Sequence, residues 1–234
     1  MSKYKRVMLK LSGEALSGDK GYGFDEGTVL KVADQVKKII ANGIQVGIVI
    51  GGGNFWRGRS NKKMDRCKAD QIGMLATVMN CLYVAEVFRT IGIKATVQTP
   101  FPMGNMTEEF SKESALNRLG NSEVVFFAGG TGHPFFSTDT AVALRALEIE
   151  ADVILLAKNI DGVYDLDPKE CNHAQKFDKI SLSEVVEKKL KVMDLTAAIM
   201  CLEHKMPMLV FYLGDENSLL NAVDDKISGT FVYV

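Results

Sequence analysis

Short apolar runs alternate with longer amphipathic stretches along almost the whole chain. Residues 4–11 (Tyr-Lys-Arg-Val-Met-Leu-Lys-Leu) predict a first strand. A helix is expected over about 26–42, where Val29, Ala33, Val36 and Ile40 form an apolar stripe, Asp25 can cap the start and Gly43 can end it. Residues 44–50 are apolar and β-branched, the pattern of a strand buried on both faces of a parallel sheet. A long helix is expected over about 69–91, with Ile72, Leu75, Met79, Leu82 and Val87 near one side and Gly92 as its stop. Further strands are predicted at 93–98, 124–128, 152–157, 208–213 and 230–234. Helices are predicted at 107–119, 138–149 and 194–205, with another opening at the capping box Ser181-Leu-Ser-Glu184 and a short one before the last strand. Such βαβα order predicts an α/β fold, a mostly parallel sheet with helices on both faces.

In such sheets ligands lie beyond the carboxyl ends of the strands, and three glycine-rich turns fall at those ends. They are Lys10-Leu11-Ser12-Gly13, Gly51-Gly52-Gly53-Asn54 and Gly129-Gly130-Thr131-Gly132. Glycine lets a ligand approach the main chain. Consecutive backbone amides and helix N-termini bind anions. Any one cluster could be a tight strand-to-helix turn; three in one sheet point to phosphate. GxxxxGK[ST] is absent, which excludes a P-loop, and Trp56 stands where a GxGxxG motif needs its last glycine. GxSxG is also absent, and His133, His173 and His204 lack a nearby nucleophile.

Two charges stand out. Lys10 interrupts an apolar strand just before a glycine turn, so it either faces solvent or offsets charge on a transferring phosphoryl group. Asp139 opens a helix, either as a cap or as a group that orients Lys10 or nearby waters.

Composition narrows the class. The chain has 234 residues, 47% hydrophobic and 24% charged, enough for a full core. A net charge of -1 offers no global field for nucleic acid. One basic run, Arg57, Arg59, Lys62, Lys63, Arg66 and Lys68 against Asp65, is either a solvated face or a local anion surface. Cys67, Cys81, Cys171 and Cys201 form no CxxC pair and read as reduced cytosolic thiols. The N-terminus makes a poor signal peptide, and no apolar run is expected to reach the roughly 20 residues of a membrane helix.

Several phrases carry a resemblance that runs essentially end to end. They include residues 10–16 (Lys-Leu-Ser-Gly-Glu-Ala-Leu), 49–54 with Arg57-Gly58, 73–80, 131–139 (Thr-Gly-His-Pro-Phe-Phe-Ser-Thr-Asp), 148–153, 161–164 (Asp-Gly-Val-Tyr) and 191–195. The chain resembles the bacterial UMP kinases, a branch of the amino acid kinase superfamily. The resemblance implies a three-layer αβα sandwich in one domain spanning 1–234, its N-terminal part mainly the UMP site and its C-terminal part mainly the ATP site. It implies transfer of a phosphoryl group from ATP, with Mg²⁺, to UMP. Lys10, Leu11, Ser12 and Gly13 would line the triphosphate, with Gly53 and Arg57 near the transferring phosphate. Asn159, or alternatively Lys158, would meet the ATP nucleoside together with Tyr164 and Asp167. Gly52 would face the UMP phosphate, Asp70 would hold the ribose, and the segment Thr131, Gly132, His133, Pro134, Phe135, Phe136, Ser137 and Thr138 would wrap the acceptor. Asp194 would organise the catalytic lysine, alongside Asp139. Gly18, Asp19, Lys20, Gly21, Tyr22 and Gly23 match a region linked to activation by GTP. The resemblance further implies a cytoplasmic homohexamer, inhibited by UTP, that feeds pyrimidine nucleotide synthesis. No metal ligand set, membrane or nucleic-acid partner is expected.

Overall fold

The computed structural model describes residues 3–56, 64–168, 170–171, 173–224, 226 and 228–234. The strands are β1 (Arg6–Leu11), β2 (Gln45–Ile50), β3 (Ala95–Thr99), β4 (Glu108–Glu109), β5 (Val124–Phe127), β6 (Val153–Lys158), β7 (Val163–Tyr164), β8 (Lys176–Phe177), β9 (Lys179–Ser181), β10 (Met208–Tyr212) and β11 (Thr230–Tyr233). The helices are α1 (Gly13–Leu16), α2 (Glu26–Ala41), α3 (Arg66–Thr90), α4 (Lys112–Gly120), α5 (Thr138–Glu148), α6 (Leu182–Glu187), α7 (Leu195–Glu203) and α8 (Ser218–Val223). Among the described residues, nine strands make one sheet in the order β4-β3-β5-β2-β1-β6-β10-β11-β9. Every pairing is parallel except β10 with β11. β7 and β8 form a separate antiparallel hairpin.

Strand alternation sorts the core onto two faces. Val7, Leu9 and Leu11 of β1 pack with Val29, Val36, Phe88 and Leu219, on the side covered by α2, α3 and α8. Met8 packs with Leu119, Val142, Ile149 and Ala198, on the side covered by α4, α5, α6 and α7. The molecule is therefore the expected three layers. Lys10 is two residues past Met8, so it points to the α5 side at the end of the strand.

β1 is where the winding reverses. The chain runs outward from β1 through β2, β3 and β4, inserts β5 between β2 and β3, then places β6 on the other flank of β1. A crevice forms at such a switch point.

Local boundaries follow side-chain caps. Asp25 accepts from Thr28 N at 2.8 Å, Asp65 from Lys68 N at 3.0 Å, and Ser181 from Glu184 N at 3.1 Å. Asp65 starts α3 three residues earlier than periodicity suggests. The helix expected over 107–119 begins only at Lys112, capped by Ser111, because residues 108–109 pair with β3. Ser137, not Asp139, caps α5.

By length and composition alone α3 could cross a membrane, contrary to the sequence expectation, yet half of that stretch is buried within this fold. Gly73, Ala76, Thr77 and Asn80 on α3 touch the loops that follow β2 and β5.

Candidate functional site

A cleft of about 550 Å³ opens at the carboxyl ends of β1, β2, β5 and β6. Ser12, Gly13, Gly51, Gly52, Gly53, Gly130 and Thr131 from the three glycine turns line it. Gly13 shows why glycine is needed there. A Cβ on it would lie 2.4 Å from Asn54 Oδ1 and 2.6 Å from the Gly51 carbonyl, so the first two turns pack backbone to backbone. Gly52 is similarly confined, 3.0 Å from Ala76 Cβ and from the Gly73 carbonyl on α3.

Lys10 resolves the first alternative. Its ammonium lies 3.0 Å from Asp139 Oδ1, and both side chains are largely buried at the cleft floor. Lys158, the last residue of β6, joins them from the neighbouring strand on the same sheet face. Burial holds the Lys158 ammonium down to about 8; the Asp139 carboxylate pulls the other way and the Lys10 charge adds to the lowering. Lys158 also donates to the carbonyls of Lys191 and Val192. Two cations beside one carboxylate, at the switch point, make a site for an anion of high charge density.

Asp194 sits on the opposite wall. Its carboxylate accepts from Ala197 N at 3.0 Å, from Thr140 Oγ1 at 3.1 Å and from the Ser137 hydroxyl. Ser137 in turn accepts from Asp139 N at 3.0 Å. Asp194 thus ties the N-termini of α5 and α7 to the same cleft, while the carboxylate that pairs with Lys10 is that of Asp139. Helix N-termini add partial positive charge.

The segment from Gly129 to Thr138 has an unusual backbone. Gly129, Gly130 and Gly132 have φ of 77°, 63° and 84°, and Phe135, a non-glycine, has φ of 73°. Such a residue costs on the order of 1–3 kcal/mol. Its amide donates to Asp70 Oδ2 at 2.8 Å, and Arg66 Nε holds the same oxygen at 2.8 Å. Asp70 therefore sits at the rim where α3 meets this segment. Asp70, Thr131, His133, Phe136, Ser137 and Thr138 line the cleft; Gly132 and Pro134 shape the turn, and the Phe135 ring is exposed.

A second cavity of about 300 Å³ shares Lys158, Lys191 and Val192 with the first. Ile160, Val163, Tyr164, Leu166 and Val210 give it apolar surface, and Asp165, Asp167, Lys188 and Lys189 add charges to its lining. Burial would raise the Asp161 carboxyl, but Lys176 at 2.9 Å and the Tyr164 hydroxyl at 2.8 Å hold it below its ordinary value. Gly162 packs against Thr230, where a Cβ would lie 2.6 Å from Oγ1, and this pins the hairpin to β11.

The sequence-derived set divides accordingly. Lys10, Ser12, Gly13, Gly52, Gly53, Asp70, Asp139 and Asp194 converge on the cleft, with Tyr164 and Asp167 in the adjoining cavity. Leu11 is fully buried and contributes its carbonyl to Gly51 N at 2.9 Å. Asn159 lines a different cavity with Gly18 and Asp19, on the α2 side, whereas Lys158 lines both the cleft and the 300 Å³ cavity that holds Tyr164 and Asp167. Arg57 lies outside the described residues. Sequence reasoning missed Lys158 as a charged floor residue. The signal was there, since Lys158 ends an apolar strand just as Lys10 does. It also missed that Asn54 and Asn80, which end two of the quoted phrases, pair with each other in the core.

A model of the amino acid kinase family matches residues 5–212. The crystal structure of UMP kinase from Bacillus anthracis is similar with a TM-score of 0.94 and 34% identity, covering 98% of this chain and 96% of that one. UMP kinase from Ureaplasma parvum is similar at a TM-score of 0.94 and 34% identity, covering 99% of this chain and all of that one.

Proposed function

The chain belongs to the amino acid kinase family, and from that membership, together with the joined cavities, we propose that it is a UMP kinase, transferring the γ-phosphoryl group of ATP to UMP. The observation that carries this is the Lys10–Asp139 pair with Lys158, at the point where a polar cleft meets an apolar cavity. ATP would place its base in the cavity lined by Val163, Tyr164 and Val210 and pass its phosphates over Lys158 toward Lys10. UMP would enter from the side of Asp70 and the 131–138 segment, its phosphate toward Gly52 and Gly53.

The chemistry needs little from the protein except geometry. A phosphate monoester has a second pKa of about 6, so the attacking oxygen is already an anion at neutral pH and no general base is required. That oxygen bonds to the γ-phosphorus as the bridging P–O bond to the β-phosphate breaks and its electron pair leaves on ADP. The obstacle is bringing two anions together, roughly 4 kcal/mol per pair of unit charges at 4 Å and an effective dielectric of 20. Lys10 and Lys158 offset that repulsion, the glycine turns fix both phosphates, and the capped N-termini of α5 and α7 face the developing charge. Asp139 holds Lys10 in place; Asp194 acts on the helix ends.

The donor set suits a magnesium ion that arrives with ATP. Among the described residues no three His, Cys, Asp or Glu side chains cluster as a metal cage, and Mg²⁺ commonly takes one or two carboxylates with phosphate and water oxygens. Glu14, Asp70, Asp139 and Asp194 are the carboxylates that line the cleft among the described residues, and Asp139 and Asp194 are the two at helix starts. The ion would neutralise part of the triphosphate charge.

The resemblance supports further parts of the proposal: Arg57 near the transferring phosphate, GTP activation through residues 18–23, UTP inhibition, a cytoplasmic homohexamer, a single domain with UMP and ATP sides, and a place in pyrimidine nucleotide synthesis. A coupled assay of ADP release tests the core of it. With UMP, CMP, dUMP, an amino acid and carbamate offered in parallel, with and without GTP, UMP is expected to turn over fastest. Turnover of a carboxylate or carbamate in preference to UMP would overturn it.

A further inference from the structure

Asn54 and Asn80 are 1% and 0% exposed, and neither lines the cleft. A primary amide in the core is costly unless its hydrogen bonds are made. Here the two carboxamides bond each other reciprocally, Asn54 Nδ2 to Asn80 Oδ1 at 3.0 Å and Asn80 Nδ2 to Asn54 Oδ1 at 2.7 Å. The second N–H of Asn80 goes to the Gly51 carbonyl at 2.6 Å. That of Asn54 goes to the Gly23 carbonyl at 2.9 Å, and Gly23 N returns a bond to the Asn54 carbonyl at 3.2 Å. One buried pair therefore joins α3, the triple-glycine turn and the glycine-rich segment after α1. Asn54 Oδ1 also abuts Gly13, whose missing Cβ leaves room for it.

A core that needed only volume could be filled by apolar side chains, but two leucines here would also take the donors from the Gly51 and Gly23 carbonyls. What leucine cannot supply is direction. The two asparagines specify where the Gly51 carbonyl and the Gly13 backbone sit relative to α3, and those two turns are the ones that face the transferring group. We propose that the Asn54–Asn80 pair is a positioning device for phosphoryl transfer, setting the register of the two glycine turns on α3 and linking it to the segment at Gly23. This rests on the UMP kinase reading. Displacement by about 1 Å at a reacting centre can cost on the order of 10²-fold in rate, so the pair acts on turnover more than on nucleotide affinity.

The test uses the full chain and the double variant Asn54→Leu/Asn80→Leu, with both single variants. Expected is a fall in kcat of about 10- to 100-fold, KM for UMP and ATP within about threefold, and a double variant no worse than the poorer single one, because the two side chains act as a unit. Trp56, the chain's one tryptophan, lines the cleft two residues beyond Asn54, so fluorescence titration with UMP reads affinity apart from turnover. Asn80→Asp provides a second route should the leucines prevent folding. It keeps the shape and the acceptor for Asn54 but removes both Asn80 donors, to the Gly51 carbonyl and to Asn54 Oδ1, and kcat should fall while UMP affinity by Trp56 holds. A folded variant with unchanged kcat, or one whose loss lies in KM alone, overturns the proposal. If the unaltered chain prefers another acceptor, the variants are read on that acceptor, so failure of the reaction and failure of the pair are separate results.

Discussion

The two ends of the joined cavities are built by opposite means. At the proposed phosphate end, two lysines sit on the central strands β1 and β6, and glycine turns and capped helix starts gather at the carboxyl ends of those strands. At the other end, the proposed donor-base end, side chains from β7, its flanking loop and residues 188–192 close around a smaller space. Aligning charges tolerates little positional error, so that machinery sits on the most rigid elements. An apolar wall gains its energy from area, which is not directional, and loops can supply it.

The largest expected contrast comes from Lys10→Ala. Removing the ammonium at the phosphate end should lower kcat by about 10²- to 10³-fold with little change in either KM, as measured by steady-state kinetics. Turnover near that of the unaltered chain would erase the distinction between the two ends. Asp70→Asn should be next, raising KM for UMP by about tenfold and leaving KM for ATP nearly unchanged, because Asp70 stands on the acceptor rim beside Phe135. Equal losses for both nucleotides in titration calorimetry would show that the acceptor and donor ends are not separable.

Lys158 belongs to both ends and gives the finest test. Its ammonium is held down to about 8, so kcat/KM should fall as pH rises through about 8, when the free enzyme loses that charge. Stability should run the other way. The unfolded chain keeps the lysine protonated to its ordinary value, so between about 8 and that value it binds more protons than the folded chain and stability rises with pH. Lys158→Met should therefore be nearly inactive yet raise Tm at pH 7, by roughly 2–4 °C for each kcal/mol relieved, with the gain shrinking toward pH 10. A Tm lowered at pH 7 would mean that the bonds to the Lys191 and Val192 carbonyls outweigh the cost of burial.

The phosphate end was largely legible because its requirements are written as residue types. Glycine where backbones touch, lysine inside an apolar strand and serine or aspartate before a helix each leave a local mark, and Lys10, Gly13, Gly52 and Asp139 could be read before any contact was known. Helices α2 and α5 were equally plain from periodicity. The donor-base end was not. Whether Lys158 or Asn159 faces the nucleotide depends on which way the end of β6 presents alternate residues, and strand direction relative to α5 is a tertiary fact. The 107–119 stretch misled because Glu108 and Glu109 have helical propensity but are captured by β3, an effect no local window contains. Asn54 and Asn80 lie 26 positions apart in sequence, and their partnership appears only when α3 folds back across the second glycine turn.

The margins of the central sheet have a consequence for how copies of this chain can meet. One margin is β4, only two residues long and both glutamates; the other is β9, three residues with Lys179 exposed. Neither offers a long run of unpaired amides and carbonyls to an incoming strand, and like-charged glutamates repel their own kind. Self-association by strand addition, the route toward fibres, is therefore disfavoured at both borders, and any ordered assembly must be made through helical or loop surfaces instead.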